Sequence, residues 1–472
     1  MNKATNKLIR NVSVNFISQA AILLLSTLFT VYLARVLGAV NYGKYVFAST
    51  FPFIFFVSLD FLNDICVRDV AKDKMRASSY LSSIQFLKVI LSAFLLLLIC
   101  FLIKLMRYPA DTAYAVYILS LFLFLQQLGT SFANIFTANE ELSYPALSAV
   151  IEKAITVFLG LYILFKGGGL TDVVLAFILG GMARFIVLGF MVRKYTRPAF
   201  SINFPLWKYW FKNGYPILFG LLFMILLSRI NVVFLSVMKG DEAVGIYGIG
   251  FGLYMVSSII PISLMGAIFP ILSRYGKEAH SSAVLLYKTS FKFMLAVAVL
   301  ITIVVLSLAQ EIIVVFFHKG YLESIIVLRL LFLALPLFFV RSLLAGLLLS
   351  INRQRHTMVG MGVALLFNIF LNFMLIPSLG YVGASISFVV AEIVIFSMLW
   401  HAVSKYFYRL EILSALSRMV IVGCVTFLFL HFFRKHNIFL ISGLGLCLYV
   451  FLAMAVRLFS RKELLEFSSN IF

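Results

Sequence analysis

About fourteen apolar segments follow one another along this chain, and short polar loops separate them. An α-helix needs about 20 mostly apolar residues to cross the hydrocarbon core of a bilayer, so each segment is predicted to be a transmembrane helix. The predicted spans are 11–37, 44–63, 80–104, 114–137, 146–165, 172–192, 215–238, 243–271, 289–317, 325–350, 357–377, 382–403, 414–433 and 437–459. The chain is therefore predicted to be an all-α integral membrane protein with about fourteen transmembrane helices.

The composition indicates that lipid is the main solvent. Of the 472 residues, 63% are hydrophobic and 12% are charged, and a soluble protein lacks the polar surface to cover so much apolar material. The formal net charge of +21 would indicate nucleic acid in a soluble domain. Here the lysines and arginines lie mainly in short loops, where they determine topology, so no nucleic-acid partner is predicted.

The distribution of positive charge predicts the orientation of the spans. With a cytoplasmic N-terminus, the inside loops and tails hold roughly 22 Lys and Arg residues and the outside loops roughly nine. The richest inside loops are 68–76 and 193–212. We expect a multi-pass protein of the cytoplasmic (inner) cell membrane with both termini cytoplasmic, and a first span that is retained because it is too long for a signal peptide.

The sequence carries no motif for catalysis or metal binding. The four cysteines have no paired spacing, and the six histidines form no metal-ligand pattern. No loop is large enough to form a soluble domain that would hold catalytic residues. We therefore predict a protein that is not an enzyme, with no catalytic residue, no metal and no cofactor.

A motif of the form G-x-x-x-x-G-x-Y occurs twice in the chain. It begins at Gly38 after the first span and at Gly240 after the seventh, an offset of 202 residues. Glycines suit the tight turns found between helices, so turn chemistry alone also explains this motif. A second coincidence is needed to decide for an internal repeat.

The stretches ANEELSYPAL and INRQRHTMVG supply that coincidence, because they follow the fourth and the tenth spans. Aligning them pairs Asn139 with Asn352, and the same offset of 213 residues pairs Gly167 with Gly380. Together the two echoes predict two six-helix copies that enter the membrane in the same direction. Parallel repeats of this kind occur in transporters, with the substrate bound between the halves.

The repeat predicts four parts of the chain. They are an N-lobe (1–194), a cytoplasmic linker (195–214), a C-lobe (215–403), and a last part with two appended helices and a cytoplasmic tail (404–472).

Polar residues inside the spans are the candidates for function. The first span carries Asn15, Gln19, Ser26 and Thr30 at spacings of four, seven and four, which place them on one helical face. Such a stripe either lines a water-filled cavity or packs against another helix.

Arginines near the middle of a span point to a cavity or a charged partner, because an ionisable group there costs about 2.5–3.5 kcal/mol. The three are Arg184, Arg229 and Arg341. We predict that Arg229 lines a cavity, and that Asn231, roughly 200° around the same helix, contacts a neighbouring helix.

Other ionisable groups lie near span ends. Asp60, Asp64 and Arg68 continue one stripe from the second span into the inner loop. Arg274 lies at the cytoplasmic end of the eighth span, and both Arg68 and Arg274 either determine topology or bind a headgroup.

Two more polar residues lie inside the later spans. Tyr254 shares a face of the eighth span with Tyr247 and Ser258, and Pro261 is expected to kink that span. Glu392 in the twelfth span is either an ion site or the partner of an arginine, and the sequence does not choose between them.

Three stretches resemble the Wzx-type polysaccharide flippases of the multidrug/oligosaccharidyl-lipid/polysaccharide exporter superfamily. They are YLARVLGAVNYGKYVFA, the pair GYP and RINVVFLSVMKGDEAVGIYGIG, and NFMLIPSLGYVGASISFVVAE. The resemblance implies two lobes around a central cavity, and transport of a polyprenyl-diphosphate-linked oligosaccharide from the cytoplasmic to the outer leaflet. Many relatives carry an acid where this chain has Asn231, so ion coupling here would need Asp60, Asp64 or Glu392.

The residues and the resemblance together give one hypothesis. A diphosphate needs cationic partners when it leaves water, and the planar fork of arginine suits phosphate. The predicted substrate-binding residues are Arg229, Arg35, Arg68, Asn15, Gln19, Ser26, Thr30, Arg274 and Tyr254. Transport would proceed by alternating access, with the helix-one stripe holding sugar hydroxyls and the lipid tail remaining in the membrane.

The predicted partners are the lipid-linked oligosaccharide, membrane lipids, and the glycan polymerase and glycosyltransferases of a surface-glycan pathway such as O-antigen or capsule. Two alternatives stay open. One is a drug or organic-cation antiporter of the same superfamily, which would favour unpaired carboxylates. The other is an integral-membrane glycan polymerase, which would need a large outer loop with catalytic residues.

Overall fold

The computed structural model describes residues 3–196, 203–278, 280–410, 413–434, 436–456 and 458, with side chains described outside 3–10, 12, 275–281 and 413–416. Within these residues the regular structure is entirely helical. The helices are α1 (Lys3–Phe56), α2 (Phe61–Lys72), α3 (Ala77–Leu105), α4 (Ala110–Ala138), α5 (Ser143–Phe165), α6 (Leu170–Val192), α7 (Phe204–Lys239), α8 (Asp241–Ser257), α9 (Ile259–Glu278), α10 (His280–Phe317), α11 (Ser324–Leu333), α12 (Leu335–Ser350), α13 (Gln354–Leu379), α14 (Tyr381–Tyr406), α15 (Leu413–Phe433) and α16 (Ile438–Ala455).

The predicted all-α membrane architecture is confirmed. α1 holds the first span and most of the second, with a single non-helical residue at Gly38, and α2 completes the second span. The eighth span is α8 with α9, the tenth is α11 with α12, and every other span is one helix. In the described part of the chain, eleven helices are long and apolar enough to cross a membrane, and α11 and α12 form a further span bent by 41°.

Proline explains one of these interruptions. The eighth span breaks at Ser258, and Pro261 lies in the first turn of α9. Because proline has no backbone N–H, Pro261 cannot donate to the Ser257 carbonyl, and the helix is interrupted next to that residue, at Ser258.

The chain divides into two compact units, Met1–Ser236 and Val237–Phe472. The division falls near the end of α7, so most of that helix belongs to the first unit. Part of the predicted linker, 197–202, lies outside the described residues. The four-part division into 1–194, 195–214, 215–403 and 404–472 stays a prediction.

Each unit contains the same series of left-handed turns between its helices. Among the described residues, the positive φ angles form four pairs in chain order: Gly38 and Gly240, Arg107 and His318, Glu140 and Asn352, and Gly167 and Gly380. The turns come at the same place relative to the helices in both halves. The internal repeat is therefore visible in the backbone as well as in the sequence.

The second sequence echo needs a correction by one residue. Asn139 was aligned with Asn352, but Glu140, with φ of 57°, matches Asn352, with φ of 58°. Both residues donate their N–H to the carbonyl three residues back, and the next residue donates to the carbonyl five back. This is the Schellman arrangement that closes a helix. It shows that Glu140, and not Asn139, is the structural equivalent of Asn352.

The first unit packs as a helical bundle. α4 and α5 lie against α6, and α1 contacts α4 and α5. The α5–α6 contact is close, because a Cβ on Gly180 would lie 2.2 Å from Thr156 Oγ1. Small residues at such interfaces let helix backbones approach in a membrane.

In the second unit, the last two helices attach to α10. Ile303 of α10 packs with Val422 and Leu430 of α15 and with Tyr449 of α16. The Tyr449 hydroxyl also donates a hydrogen bond of 2.9 Å to the Ala296 carbonyl of α10. α15 and α16 are therefore tied to the second unit by packing and by a buried hydrogen bond.

Candidate functional site

The polar stripe on α1 lies on the surface of the first unit. Asn15 and Gln19 are exposed, and Ser26 and Thr30 are partly exposed. Phe29 and Leu33, which lie within about 70° of the middle of this stripe around the helix, are buried. The stripe itself is not part of the core of its own unit, although apolar Phe16 and Ile17 near its start are exposed as well.

The Asp60–Arg68 stripe runs from a half-buried to an exposed position. Asp60 is partly exposed, whereas Asp64 and Arg68 are exposed. The Arg68 side chain forms an ion pair with Asp69 at 3.0 Å and donates a hydrogen bond of 3.2 Å to the Tyr209 hydroxyl. Arg68 thus connects α2 to the start of α7.

Arg229 lies on α7 beside the second half of α1. Its guanidinium carbon is 6.0 Å from the centroid of the Phe53 ring, and its charge also acts on Tyr45. Arg229 is partly exposed, whereas Asn231 is fully buried, so the two residues lie on different sides of α7 as predicted. Further along α7, Ser236 is hydrogen-bonded to the Tyr108 hydroxyl at 2.8 Å.

Arg35 completes the cations of the first unit that were selected from the sequence. It is exposed on α1, three residues before the break at Gly38. The first unit therefore presents Arg35, Arg68 and Arg229 with their side chains at least partly exposed.

The first unit also contains a buried lysine that the sequence reasoning missed. Lys88, on α3, is fully buried, and its ammonium group donates hydrogen bonds to Asn63 Oδ1 at 2.6 Å and to the Gln127 carbonyl at 3.1 Å. Apart from Arg76, Lys88 is the sole charged residue between Met75 and Cys100. This isolated charge in an apolar run was the signal that the sequence offered. A lone lysine in an apolar run is also the pattern of a side chain that reaches the membrane interface, so the sequence did not mark Lys88 as buried.

The amides around Lys88 connect it to Asp60. Asn63 Nδ2 and Gln127 Nε2 donate to Asp60 Oδ1 at 3.0 and 2.9 Å. Asn134 Nδ2 donates to the Asn63 Oδ1 atom that also accepts from Lys88. Asp60, Asn63, Lys88, Gln127 and Asn134 form one hydrogen-bonded group across α2, α3 and α4, which we call the Lys88 network.

The other two central arginines are held in ion pairs. Arg184 on α6 pairs with Glu152 on α5 at 3.0 Å, and Gln126 of α4 donates to the same carboxylate at 3.1 Å. In the second unit, Arg341 on α12 forms two hydrogen bonds with Glu392 on α14, of 2.9 and 3.2 Å. Of the two readings left open for Glu392, the structure shows the arginine partner.

The two remaining predicted site residues of the second unit differ in exposure. Tyr254 is fully buried, and its ring meets Phe332, Phe338 and Phe388 edge-on. Arg274, near the end of α9, is exposed. Tyr254 therefore has no surface available to a ligand in this conformation.

The fold and the polar surface define a multi-pass membrane protein of the two-lobed transporter class with parallel repeats. The family model described as "Polysaccharide biosynthesis protein" matches residues 8–276, more than half of the chain. The chain belongs to this family. A second model, MatE, matches residues 216–374. The curated proteins give no significant match.

Solved structures show the same fold. A lipid II flippase, MurJ, in an inward closed conformation has a TM-score of 0.75 and 18% identity, over 95% of this chain and 99% of that chain. An inward-facing multidrug resistance MATE transporter of the MOP superfamily gives 0.69 and 16%, over 81% and 95%.

A third structure is that of a MOP superfamily transporter from Pyrococcus furiosus, which is described as having a binding pocket of reversed polarity. It gives a TM-score of 0.58 and 16% identity, over 84% of this chain and 95% of that chain. These similarities establish the fold of the MOP superfamily transporters. The superfamily resemblance drawn from the sequence motifs is confirmed.

Proposed function

We propose that this protein is a flippase that moves a polyprenyl-diphosphate-linked oligosaccharide from the cytoplasmic to the outer leaflet by alternating access. The family supports a role in surface-glycan synthesis, and the MurJ fold supports a lipid-linked substrate. The proposed location is the cytoplasmic (inner) membrane with both termini cytoplasmic. The glycan polymerase and glycosyltransferases of the same pathway are the proposed partners.

The observation that carries the proposal is the state of Arg229. Arg229 is partly exposed on α7, with its guanidinium carbon 6.0 Å from the centroid of the Phe53 ring. A partly exposed guanidinium presents planar N–H groups that can donate to phosphate oxygens. Arg229 is therefore suited to a diphosphate, with Arg35 and Arg68 as further cations on the same unit.

The sugar is proposed to contact the α1 stripe. Amide and hydroxyl side chains such as those of Asn15, Gln19, Ser26 and Thr30 bind sugar hydroxyls by hydrogen bonds. The apolar tail would remain among lipid chains. No bond is made or broken in this process, so we propose that the protein is not an enzyme and needs no metal or cofactor.

The test measures outer-leaflet exposure of a labelled lipid-linked oligosaccharide in proteoliposomes, with empty vesicles as the blank. Arg229→Ala should lower the flipping rate about tenfold to a hundredfold, since a charge-assisted hydrogen bond contributes about 1.5–3 kcal/mol. Arg329→Ala, which removes an exposed arginine of α11, is the matched control and should leave the rate unchanged. Wild-type exposure equal to that of empty vesicles would refute the proposal.

One observation favours a second candidate, an organic-cation antiporter. The MatE model covers 216–374, and a MATE transporter shares the fold. Asp64 is an exposed carboxylate that a cation would require. Efflux of a labelled organic cation that persists in Arg229→Ala and is lost in Asp64→Asn would support the antiporter over the flippase.

A further inference from the structure

The second span contains a break beside the Lys88 network. α1 ends at Phe56, a single 3-10 turn covers Val57–Leu59, and α2 begins at Phe61. A break of this kind leaves backbone carbonyls without helical partners. The Phe56 carbonyl is satisfied by Gln127 Nε2 at 3.2 Å, and the same amide group also holds the Asp60 carboxylate.

Asp60 therefore lies directly beside the break in the second span. Asp60 is the last residue before α2, the short helix that carries Asp64 and Arg68. A carboxylate inside a membrane protein is normally neutralised by a proton, a bound cation or a basic side chain. Which of these applies decides whether Asp60 responds to ions.

The structure supplies a basic side chain. The Lys88 ammonium is fully buried, and the Asn63 amide lies between it and Asp60, accepting from Lys88 with its oxygen and donating to Asp60 with its nitrogen. Removing a buried ammonium group from water costs several kcal/mol unless a negative charge compensates for it. Asp60 is the carboxylate to which this hydrogen-bonded chain leads.

We propose that Lys88 is a tethered counter-cation for Asp60, and that it takes the place that a sodium ion or a proton occupies at a half-buried carboxylate in ion-coupled transporters. The Asp60–Lys88 pair beside the break then keeps one charge state whatever the external ions. Asp60 is removed from the set of coupling groups, which leaves Asp64 as the exposed carboxylate of that stripe. This bears on how the proposed flippase is driven, yet its test needs no substrate.

Few other charged or titratable groups adjoin this pair in the described residues. On α2, Asp64 is one turn beyond Asp60, and the Cys66 thiol interacts electrostatically with Lys88. α4 contributes the amides of Gln127 and Asn134, and α7 contributes aromatic rings against Phe61. Asp64 and Cys66 are therefore the groups that the experiment must control.

The experiment measures the thermal unfolding midpoint of the purified full-length protein in detergent, across pH, in sodium chloride and in choline chloride at equal ionic strength. Lys88→Met leaves Asp60 unneutralised, so its midpoint should fall and should recover at lower pH or with sodium. Asp60→Asn leaves the buried ammonium unneutralised, so its midpoint should fall and should recover at higher pH, with no effect of sodium. The Asp60→Asn/Lys88→Met double variant should regain most of the wild-type midpoint.

Opposite pH responses of the two single variants separate charge pairing from simple packing loss, since Asp64 is present in both. Repeating the series with Cys66→Ala removes the thiol as a source of the high-pH response. Should Lys88→Met fail to fold, Asp60→Asn and the double variant still carry the test. Single variants that respond to pH with the same sign, or a double variant no more stable than the worse single variant, would overturn the proposal.

The outcome is independent of the flippase assignment. A failed flipping assay with the predicted pH and sodium responses would reject the proposed substrate and keep Lys88 as counter-cation. A working flipping assay without those responses would do the reverse.

Discussion

Each unit holds an ion pair between an arginine and a buried glutamate, but within the described residues the first unit alone adds a buried lysine. In the first, Lys88 is joined to Asp60 through the Asn63 side chain and through Gln127, whose backbone carbonyl accepts from Lys88 and whose side-chain amide donates to Asp60. In the second, Arg341 and Glu392 are joined directly by two hydrogen bonds. A planar bidentate fork fixes both partners, whereas amides between two charges allow their separation to change.

The backbone, in contrast, is similar in the two units, because the same four left-handed turns occur in both. The repeat has therefore kept the positions where helices end and has not kept the buried chemistry between them. We interpret the second unit's ion pair as a rigid support and the first unit's network as the adjustable element, located at the break in the second span.

The largest expected effect comes from breaking the direct pair. Arg341→Met leaves Glu392, with a side chain 3% exposed, without its cation. Removing one partner of a buried ion pair costs about 3–5 kcal/mol, so the free energy of unfolding in detergent should fall by that amount. The fall should exceed that of Lys88→Met, because Asp60 is partly exposed and keeps two amide donors.

The double variant Arg341→Met/Glu392→Leu is the control for this prediction, since replacing a whole buried pair by apolar groups is often neutral. It should regain most of the lost stability. An Arg341→Met protein as stable as an Arg329→Met protein, whose arginine is exposed, would contradict the interpretation of the pair as a support.

A second comparison concerns glycines at close helix contacts in each unit. A Cβ on Gly214 of α7 would lie 2.3 Å from the Phe61 ring, whereas a Cβ on Gly346 of α12 would lie 2.1 Å from the terminal methyl of Met265. The ring is packed in a core and cannot yield, but the end of a methionine can turn away. Gly214→Ala should cost about 1–3 kcal/mol, and Gly346→Ala distinctly less, in the same unfolding measurement.

Equal losses in the two variants would show that the contact between α7 and α2 is no tighter than an ordinary interface. This matters for function, because α7 carries Arg229 and α2 carries Arg68. A loose contact would leave these cations without a fixed spacing.

The repeated motif predicts equal effects in the two units. Gly38 (φ 71°, ψ 173°) and Gly240 (φ 82°, ψ −175°) adopt a backbone region that is essentially restricted to glycine, and each has open space where a Cβ would lie. Gly38→Ala and Gly240→Ala should each cost about 1–3 kcal/mol through backbone strain alone. Gly220→Ala, in the helical part of α7 with open space, should instead stabilise by about 0.5–1 kcal/mol.

A large difference between Gly38→Ala and Gly240→Ala would break the equivalence of the two turns. Thermal midpoints of the three variants, measured side by side, decide the point.

The sequence predicted the spans well and the contacts poorly, for physical reasons. A bilayer requires long apolar helices, so hydropathy alone located the helices, and glycines marked four of the left-handed turns, at Gly38, Gly167, Gly240 and Gly380. Lys88 was missed because a single lysine in an apolar run reads as a residue that reaches the interface. The choice of Arg341 over Arg184 as the partner of Glu392 depends on which helices are neighbours, and that is a tertiary property.

The smallest expected effect tests the register correction. Glu140 and Asn352 occupy the same left-handed position, but asparagine tolerates that conformation better than glutamate does. Glu140→Gly should therefore raise the free energy of unfolding by about 1 kcal/mol or less, and Asn352→Gly should gain less than that. Asn139→Gly serves as the matched control, because Asn139 has φ of −94° and gains nothing from glycine. A gain at Asn139 with none at Glu140 would restore the original alignment and remove the structural basis for equating these two helix ends.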